Sequence, residues 1–295
     1  MAKKIRGRKV ISFKGKIVFG IVFTLFAFYS VTLVYPFIWT FINSLKTNPQ
    51  YWENMYNFPE SPLWRNYVKA FTELKVPKSN PLYYTPFLEM LFNSLWLTGV
   101  SAFISTLAST MLAYALNKYR FKGSDIIYAV SVFTMIIPVV GNLPAQYRLQ
   151  HQLGLVNNPV SPFLSWSGYG MHFIVMYGFL SGVSWNYAEA AFIDGASNWT
   201  VFLKIMIPQV KPAFVSLFVL AFIQHWNSYL GNMLFMIDFA TLSTGLFVFK
   251  NSGASANNTP IYYAALLMST LPIVALFIAF QDTIMENMVA GGLKG

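Results

Sequence analysis

The chain has 295 residues, of which 56% are hydrophobic, 18% aromatic and only 10% charged, with a formal net charge of +10. A soluble domain carries about 25% charged residues, so twenty Lys/Arg and ten Asp/Glu cannot cover a water-soluble protein of this size, and so much apolar and aromatic content excludes disorder. The basic residues cluster between long neutral runs, a membrane signal rather than a nucleic-acid one, and the absence of cysteine removes disulfides, thiolate catalysis and Cys-bound metals.

Residues 1–16 read as a basic cytoplasmic N-terminus, with Lys3, Lys4, Arg6, Arg8, Lys9, Lys14 and Lys16 and no acid. The run from Ile17 to Leu45 has no formal charge. It is too long for the roughly 7–15-residue core of a signal peptide and lacks a cleavage site, so it reads as an uncleaved first span, Ile17 to about Phe41. A helix needs about 20 apolar residues to cross the hydrocarbon. On that criterion further spans fall near Leu91–Leu116, Ile126–Leu143, Pro162–Val183, Ala213–Ile237 and Ile261–Phe280. The runs are continuously apolar rather than alternating, which argues against a β-barrel. The expected fold is an all-α integral membrane protein with six helices over 17–282 and a tail over 283–295. Placing both termini inside puts thirteen basic residues on the cytoplasmic side and seven outside, as the positive-inside rule requires. Segments 46–89 and 238–260 are then external, and 184–212 and the tail are cytoplasmic.

Ser101, Ser105 and Ser109 at intervals of four, and Gly178 with Gly182, suit close helix packing. Pro36, Pro138 and Pro272 should bend their helices. No G-x-x-x-x-G-K-[ST] loop is present, and His151, His172 and His225 lack metal-ligand spacing. A secondary transporter usually carries ionisable residues inside its spans; here Asp125, Asp238 and Asp282 all fall at span edges. The chain can form a pathway but shows no engine.

One cytoplasmic segment looks built to receive force. Asn186 followed by Glu189 resembles a capping box, Ala188, Ala190 and Ala191 favour helix, and Gly195 can close it. Ser197 or Asn198 can cap a second helix with Trp199, Phe202, Leu203 and Met206 as its stripe, ending before Pro208, and Pro212 suits the first turn of span five. A helix resting on lipid is one reading, but an alanine-rich face offers little area to a bilayer and instead fits a partner's groove.

Glu189-Ala190-Ala191, Asp194-Gly195-Ala196, Ile207-Pro208 and Pro212 resemble the EAA loop of permease subunits in binding-protein-dependent ABC importers. Tyr35-Pro36-Phe37 with Ser44-Leu45-Lys46, Asn93-Ser94, Ala113-Tyr114-Ala115, His225-Trp226-Asn227 and the ending Ala290–Gly295 are similar to the second, six-span subunit of the maltose-type carbohydrate subfamily. The resemblance covers nearly all of the chain and is weakest over Lys46–Glu89.

The resemblance implies a type I importer permease fold with a cytoplasmic coupling helix. It also implies a non-catalytic subunit paired with a homologous permease, two ABC ATPases that bind ATP and Mg, and an external solute-binding protein, in a bacterial cytoplasmic membrane. It implies no cofactor or metal in this chain and no nucleic-acid partner. Tyr187, Glu189, Ala190, Ala191, Asp194, Gly195 and Ala196 would form the ATPase-coupling surface, with Glu189 pairing with a basic ATPase residue. Hydroxyl-rich ligands are held by amides and aromatic faces, which makes Asn142, Gln146, Gln224, Trp226, Asn227 and Tyr229 substrate-path candidates alongside a plain helix-packing role. Ser243–Pro260 reads as a flexible outward loop that either meets the binding protein, together with Lys46–Glu89, or is an unengaged surface loop. An ABC permease for another solute, or a secondary carrier without an ATPase, remain the alternatives, and neutral and uronic-acid sugars are not distinguished.

Overall fold

The structure, a computed structural model, describes residues 13–119, 121–136, 141–164, 170–251 and 258–292. Its spine is three long helices: α4 (Phe87–Lys118), α10 (Ile207–Trp226) and a closing helix α13 (Thr259–Gly292). Helix α1 (Phe13–Ser44) runs beside α13. Between them come α2 (Asn48–Glu53), α3 (Arg65–Glu73), α5 (Ser124–Ile136), α6 (Leu143–Gln152), α7 (Met171–Ser181), α8 (Asn186–Ile193) and α9 (Asn198–Val201). Two short helices, α11 (Tyr229–Phe235) and α12 (Leu242–Asn251), separate α10 from α13.

Among the described residues, four helical stretches are long and apolar enough to cross a membrane: Gly15–Ser44, Phe87–Lys118, Asn198–Trp226 and Thr259–Asp282. At the places of the third and fourth expected spans lie shorter apolar helices, Ser124–Met135 and Met171–Ser181. The latter is 11 residues, about 17 Å of helix at ~1.5 Å per residue, short of the ~30 Å hydrocarbon thickness. Pro138, expected to bend the third span, lies outside the described residues, and Pro162 sits in a 3-10 turn, Ser161–Leu164, rather than in a span. The fifth span breaks after Trp226, earlier than Ile237, because the chain leaves the helix at Asn227 and Ser228 before α11.

Each end of the bundle has its own core. At one end Leu74, Val76, Phe87, Met90, Phe222, Trp226, Leu242 and Phe249 pack together. At the other, Tyr114, Phe173, Met176, Leu180, Ala188, Val201, Phe202 and Met206 do so. The first is called here the hairpin end, because Lys75–Pro77 (β1) pairs antiparallel with Tyr84–Pro86 (β2), with Val76 opposite Thr85. The second is the elbow end.

The Lys46–Glu89 segment, expected as an external loop, is ordered from within. Thr47 and Gln50 form a reciprocal capping box on α2. Asn66 Nδ2 donates to the carbonyls of Ser44 and Lys46, both at 2.8 Å, so α3 satisfies the open C-terminus of α1. The buried Lys46 donates Nζ to the Asn54 carbonyl at 3.0 Å, and its burial lowers the ammonium pKa. The Tyr51 and Tyr263 hydroxyls, 3.0 Å apart, tie α2 to α13. Ser243–Pro260 was expected to be a flexible loop; its described first part is helical instead, as α12, because Leu242, Gly245 and Phe249 pack into the hairpin-end core.

Candidate functional site

At the elbow end the chain turns sharply between α8 and α9. Helix α8 closes through a Schellman arrangement: Ala196 N–H donates to Ala191 O at 2.9 Å and Gly195 N–H to Phe192 O at 3.0 Å. Gly195 sits at φ +82° with open space around it, so the backbone angle alone demands glycine there. Ser197 then caps α9, its Oγ accepting from Thr200 N–H at 3.3 Å. At the start of α8 the expected capping box is not formed: Asn186 lies inside the helix, Trp185 precedes it, and no side-chain cap is made. Ser184 Oγ instead accepts from Asn186 N–H at 3.3 Å.

The second helix does not end before Pro208. From Val201 it widens into a single π turn, Phe202–Met206, and continues as α10. Pro208 lies in the first α-helical turn after the π segment. Pro212 lies farther inside that helix than expected. The stripe divides accordingly. Phe202 and Met206 are buried, whereas Trp199 and Leu203 are 61% and 53% exposed.

The elbow is held against α4 by specific contacts. Lys118 Nζ donates to Val183 O at 2.6 Å, and Tyr119 Oη donates to Asn198 Oδ1 at 3.0 Å. Tyr119 also packs edge-on to Trp185 (5.7 Å) and to Tyr114 (5.5 Å). Sequence reasoning missed this anchoring group; the aromatic density just after span two was its only trace.

Helix α8 therefore presents one buried and one open side. Ala188 and Ala191 face the protein's own core. Tyr187, Glu189, Ala190, Ile193, Asp194 and Gly195 are exposed, with Ile193 at 86%. Glu189 makes no ion pair among the described residues. Of the expected coupling residues, Ala191 is thus turned inward, and Ala196 is half-buried against the core. Ile193, which the sequence reading passed over, is the most prominent apolar side chain of the free face. Such a surface, one carboxylate among small and apolar groups on a braced turn, suits docking and contains no constellation for bond-making chemistry.

The substrate-path candidates are not gathered into one place. Trp226 is buried in the hairpin-end core, stacked on Phe222 at 5.7 Å. Asn227 folds its amide back to Ile223 O at 2.9 Å, and Tyr229 stacks on Phe247 at 4.5 Å. Gln146 and Gln224 are exposed and Asn142 is half-buried at the start of α6.

Residues 105–288 match the family described as binding-protein-dependent transport system inner membrane component. The chain is 27% identical over 272 residues to the sulfoquinovosyl glycerol transport system permease protein SmoH of Agrobacterium fabrum, an alignment covering 89% of each chain. It is 28% identical over 275 residues to the arabinooligosaccharides transport system permease protein AraQ of Halalkalibacterium halodurans, covering 92% of this chain and 94% of that one. A solved bacterial ABC transporter involved in the import of the acidic polysaccharide alginate has the same fold. There the TM-score is 0.75 at 21% identity, over 93% of this chain and 99% of the other.

Proposed function

The chain belongs to the family of binding-protein-dependent transport system inner membrane components, and from that membership we propose that it is the permease subunit of an ATP-driven sugar or oligosaccharide importer. Relatives named for arabinooligosaccharides and for sulfoquinovosyl glycerol support a carbohydrate cargo. The subunit works in a bacterial inner membrane with the elbow end in the cytoplasm and the hairpin end outside. It pairs with a homologous permease, is fed by an external solute-binding protein, and performs no catalysis itself; two partner ATPases bind the ATP and Mg. Six crossings follow if the α5 and α7 regions complete the two shorter spans.

The observation that carries this reading is the open face of α8, with Tyr187, Glu189, Ala190, Ile193 and Asp194 unburied on a turn fixed to α4 and α10. When the ATPases close on ATP they press this face, and the two long helices carry the displacement toward the hairpin end. Glu189 supplies the charge for a basic ATPase residue and Ile193 the apolar contact. The test is Glu189→Lys in the assembled importer. Transport should fall at least about tenfold, the worth of one reversed interfacial ion pair, while the subunit still reaches the membrane and ATP hydrolysis loses its dependence on the binding protein. Normal transport and normal ATPase retention would assign coupling elsewhere.

A further inference from the structure

A cavity of about 190 Å³ opens between α4, α6, the Ser161–Leu164 turn and the α10–α11 corner. Its polar lining includes Ser101, Gln150, His225 and Ser228, and its apolar lining includes Leu97 and Phe235. Gln150 Oε1 is buried and has no hydrogen-bond partner among the described residues. A buried carbonyl oxygen left without a donor is costly and is normally paired in a folded protein, and Gln150 lies in the lining of this polar cavity, so a turn of its side chain gives that oxygen a hydroxyl there. Among the described residues the lining contains no Asp, Glu, Lys or Arg; the nearby Arg148 of α6 is exposed and takes no part in it.

Position ties the cavity to transport. Ser101 lies 17 residues before Lys118 on α4, about 26 Å of helix, and His225 is near the far end of α10. The helices that brace the elbow are therefore the ones that wall this cavity. Asn157 and Asp238 hold two other walls together: Asn157 Nδ2 donates to Asp238 Oδ2 at 2.6 Å, and Asp238 N–H donates to Asn157 Oδ1 at 2.9 Å.

Resting on the sugar-importer reading above, we propose that this cavity is a subsite for a single uncharged sugar ring on this chain's own half of the pathway. The Gln150 side chain turns to bring its amide oxygen to a ring hydroxyl, Ser101 and His225 bond to neighbouring hydroxyls, and Leu97 with Phe235 meet the C–H face. The volume decides for one ring: sites enclosing a whole ligand of drug size run to roughly 300–1,000 Å³. The lining decides for a neutral ring, because a uronate carboxylate would lose its water here without meeting a cation.

The test uses the complete importer, with its partner permease, ATPases and binding protein, in proteoliposomes. Radiolabelled malto-, galacto-, arabino- and chito-oligosaccharides are the neutral probes, and oligogalacturonates and alginate oligomers the acidic ones. We expect ATP-dependent uptake of at least one neutral probe. Gln150→Leu should reduce that uptake about tenfold, the scale of one lost hydrogen bond, with binding-protein-stimulated ATP hydrolysis retained. If Gln150→Leu fails to assemble, Ser101→Ala on α4 takes its place, with a smaller loss expected. Neutral uptake indifferent to these substitutions, or uptake confined to the acidic probes, overturns the subsite and leaves the importer reading intact. If neither set is transported although the complex hydrolyses ATP, the sugar reading falls and the subsite with it.

Discussion

Helices α1 and α4 are each 32 residues long, yet they are opposite in character. The most apolar window of α1 has a mean hydropathy of 2.4 and none of it is buried; the corresponding window of α4 has 1.5 and is 44% buried. The more hydrophobic helix is the one on the outside. In a bilayer the apolar side chain gains nothing by leaving lipid, so helix association depends on packing and on polar groups that find partners. Helix α4 follows that rule. Ser94 Oγ donates to Met90 O and accepts from Leu242 N–H, each at 2.8 Å, and Asn93 Nδ2 reaches Ala240 O at 3.2 Å. On α1, the hydroxyls of Thr24, Ser30 and Thr40 return to carbonyls four residues back in the same helix, which leaves its surface free for lipid or a second permease.

The strongest way to break this contrast is to enlarge a side chain on the buried helix and shrink one on the exposed helix. Ala102 is fully buried on α4, and Ala102→Phe should destabilise the chain by about 3 kcal/mol through overpacking. Phe26 on α1 is 66% exposed, and Phe26→Ala should change the melting of the separate chain by less than about 0.5 kcal/mol. Thermal unfolding in detergent measures both. If Phe26→Ala spares the separate chain yet weakens the assembled importer, the bare face of α1 is covered by protein rather than lipid.

A smaller effect is expected where α1 is tied down. Replacing buried Asn66 with Leu removes both bonds to the Ser44 and Lys46 carbonyls and should cost about 2 kcal/mol. The loss should appear as faster amide exchange at the α1 C-terminus with the α4 core unchanged. At the other end of α4, Gly195→Ala meets no steric obstacle but forces a side chain to φ +82°, at a cost of about 1–2 kcal/mol. Transport should suffer more than folding, since the turn that aims α8 is the part lost.

The sequence carried the long helices and the elbow because both have local signatures. Continuous neutral runs mark α1, α4 and α13, and Gly195 and Ser197 do at the turn what their residue types favour. What stayed hidden depends on contacts distant in sequence. The inward turn of Ala191 places it in a core whose other members, such as Tyr114, Phe173 and Met206, come from separate helices. The β1–β2 hairpin is three residues per strand, too short to show alternation. The cavity joins Ser101, Gln150 and His225 from three separate helices. Within one segment the helix turns Trp226 into the core, while the adjacent His225 lines the cavity.

The subtlest expectation concerns the clasp between the loops at the hairpin end. Asp238 is held below its ordinary carboxylate pKa of 3.8 chiefly by the Ser79 backbone N–H, whose bond to Oδ1 is 2.6 Å, helped by the Asn157 amide and the charge of Lys78. A depressed pKa in the folded state means that the charged form stabilises the clasp. That contribution is complete above the unfolded value of 3.8 and disappears as pH falls through the lower folded one. The half-exposed setting limits it to no more than about 1 kcal/mol. Between neutral pH and about pH 5 this group should therefore leave stability unchanged, with the loss starting only in stronger acid. Asp238→Asn should remove that acid-dependent loss while lowering stability at neutral pH, because the new amide cannot accept from both Ser79 N–H and the Asn157 amide. Melting curves of wild type and variant across this range provide the check. A variant with the same acid slope as the wild type would place the titrating group outside the clasp and leave the walls of the cavity held by the Asn157–Phe235 backbone bond, N–H to O at 2.6 Å.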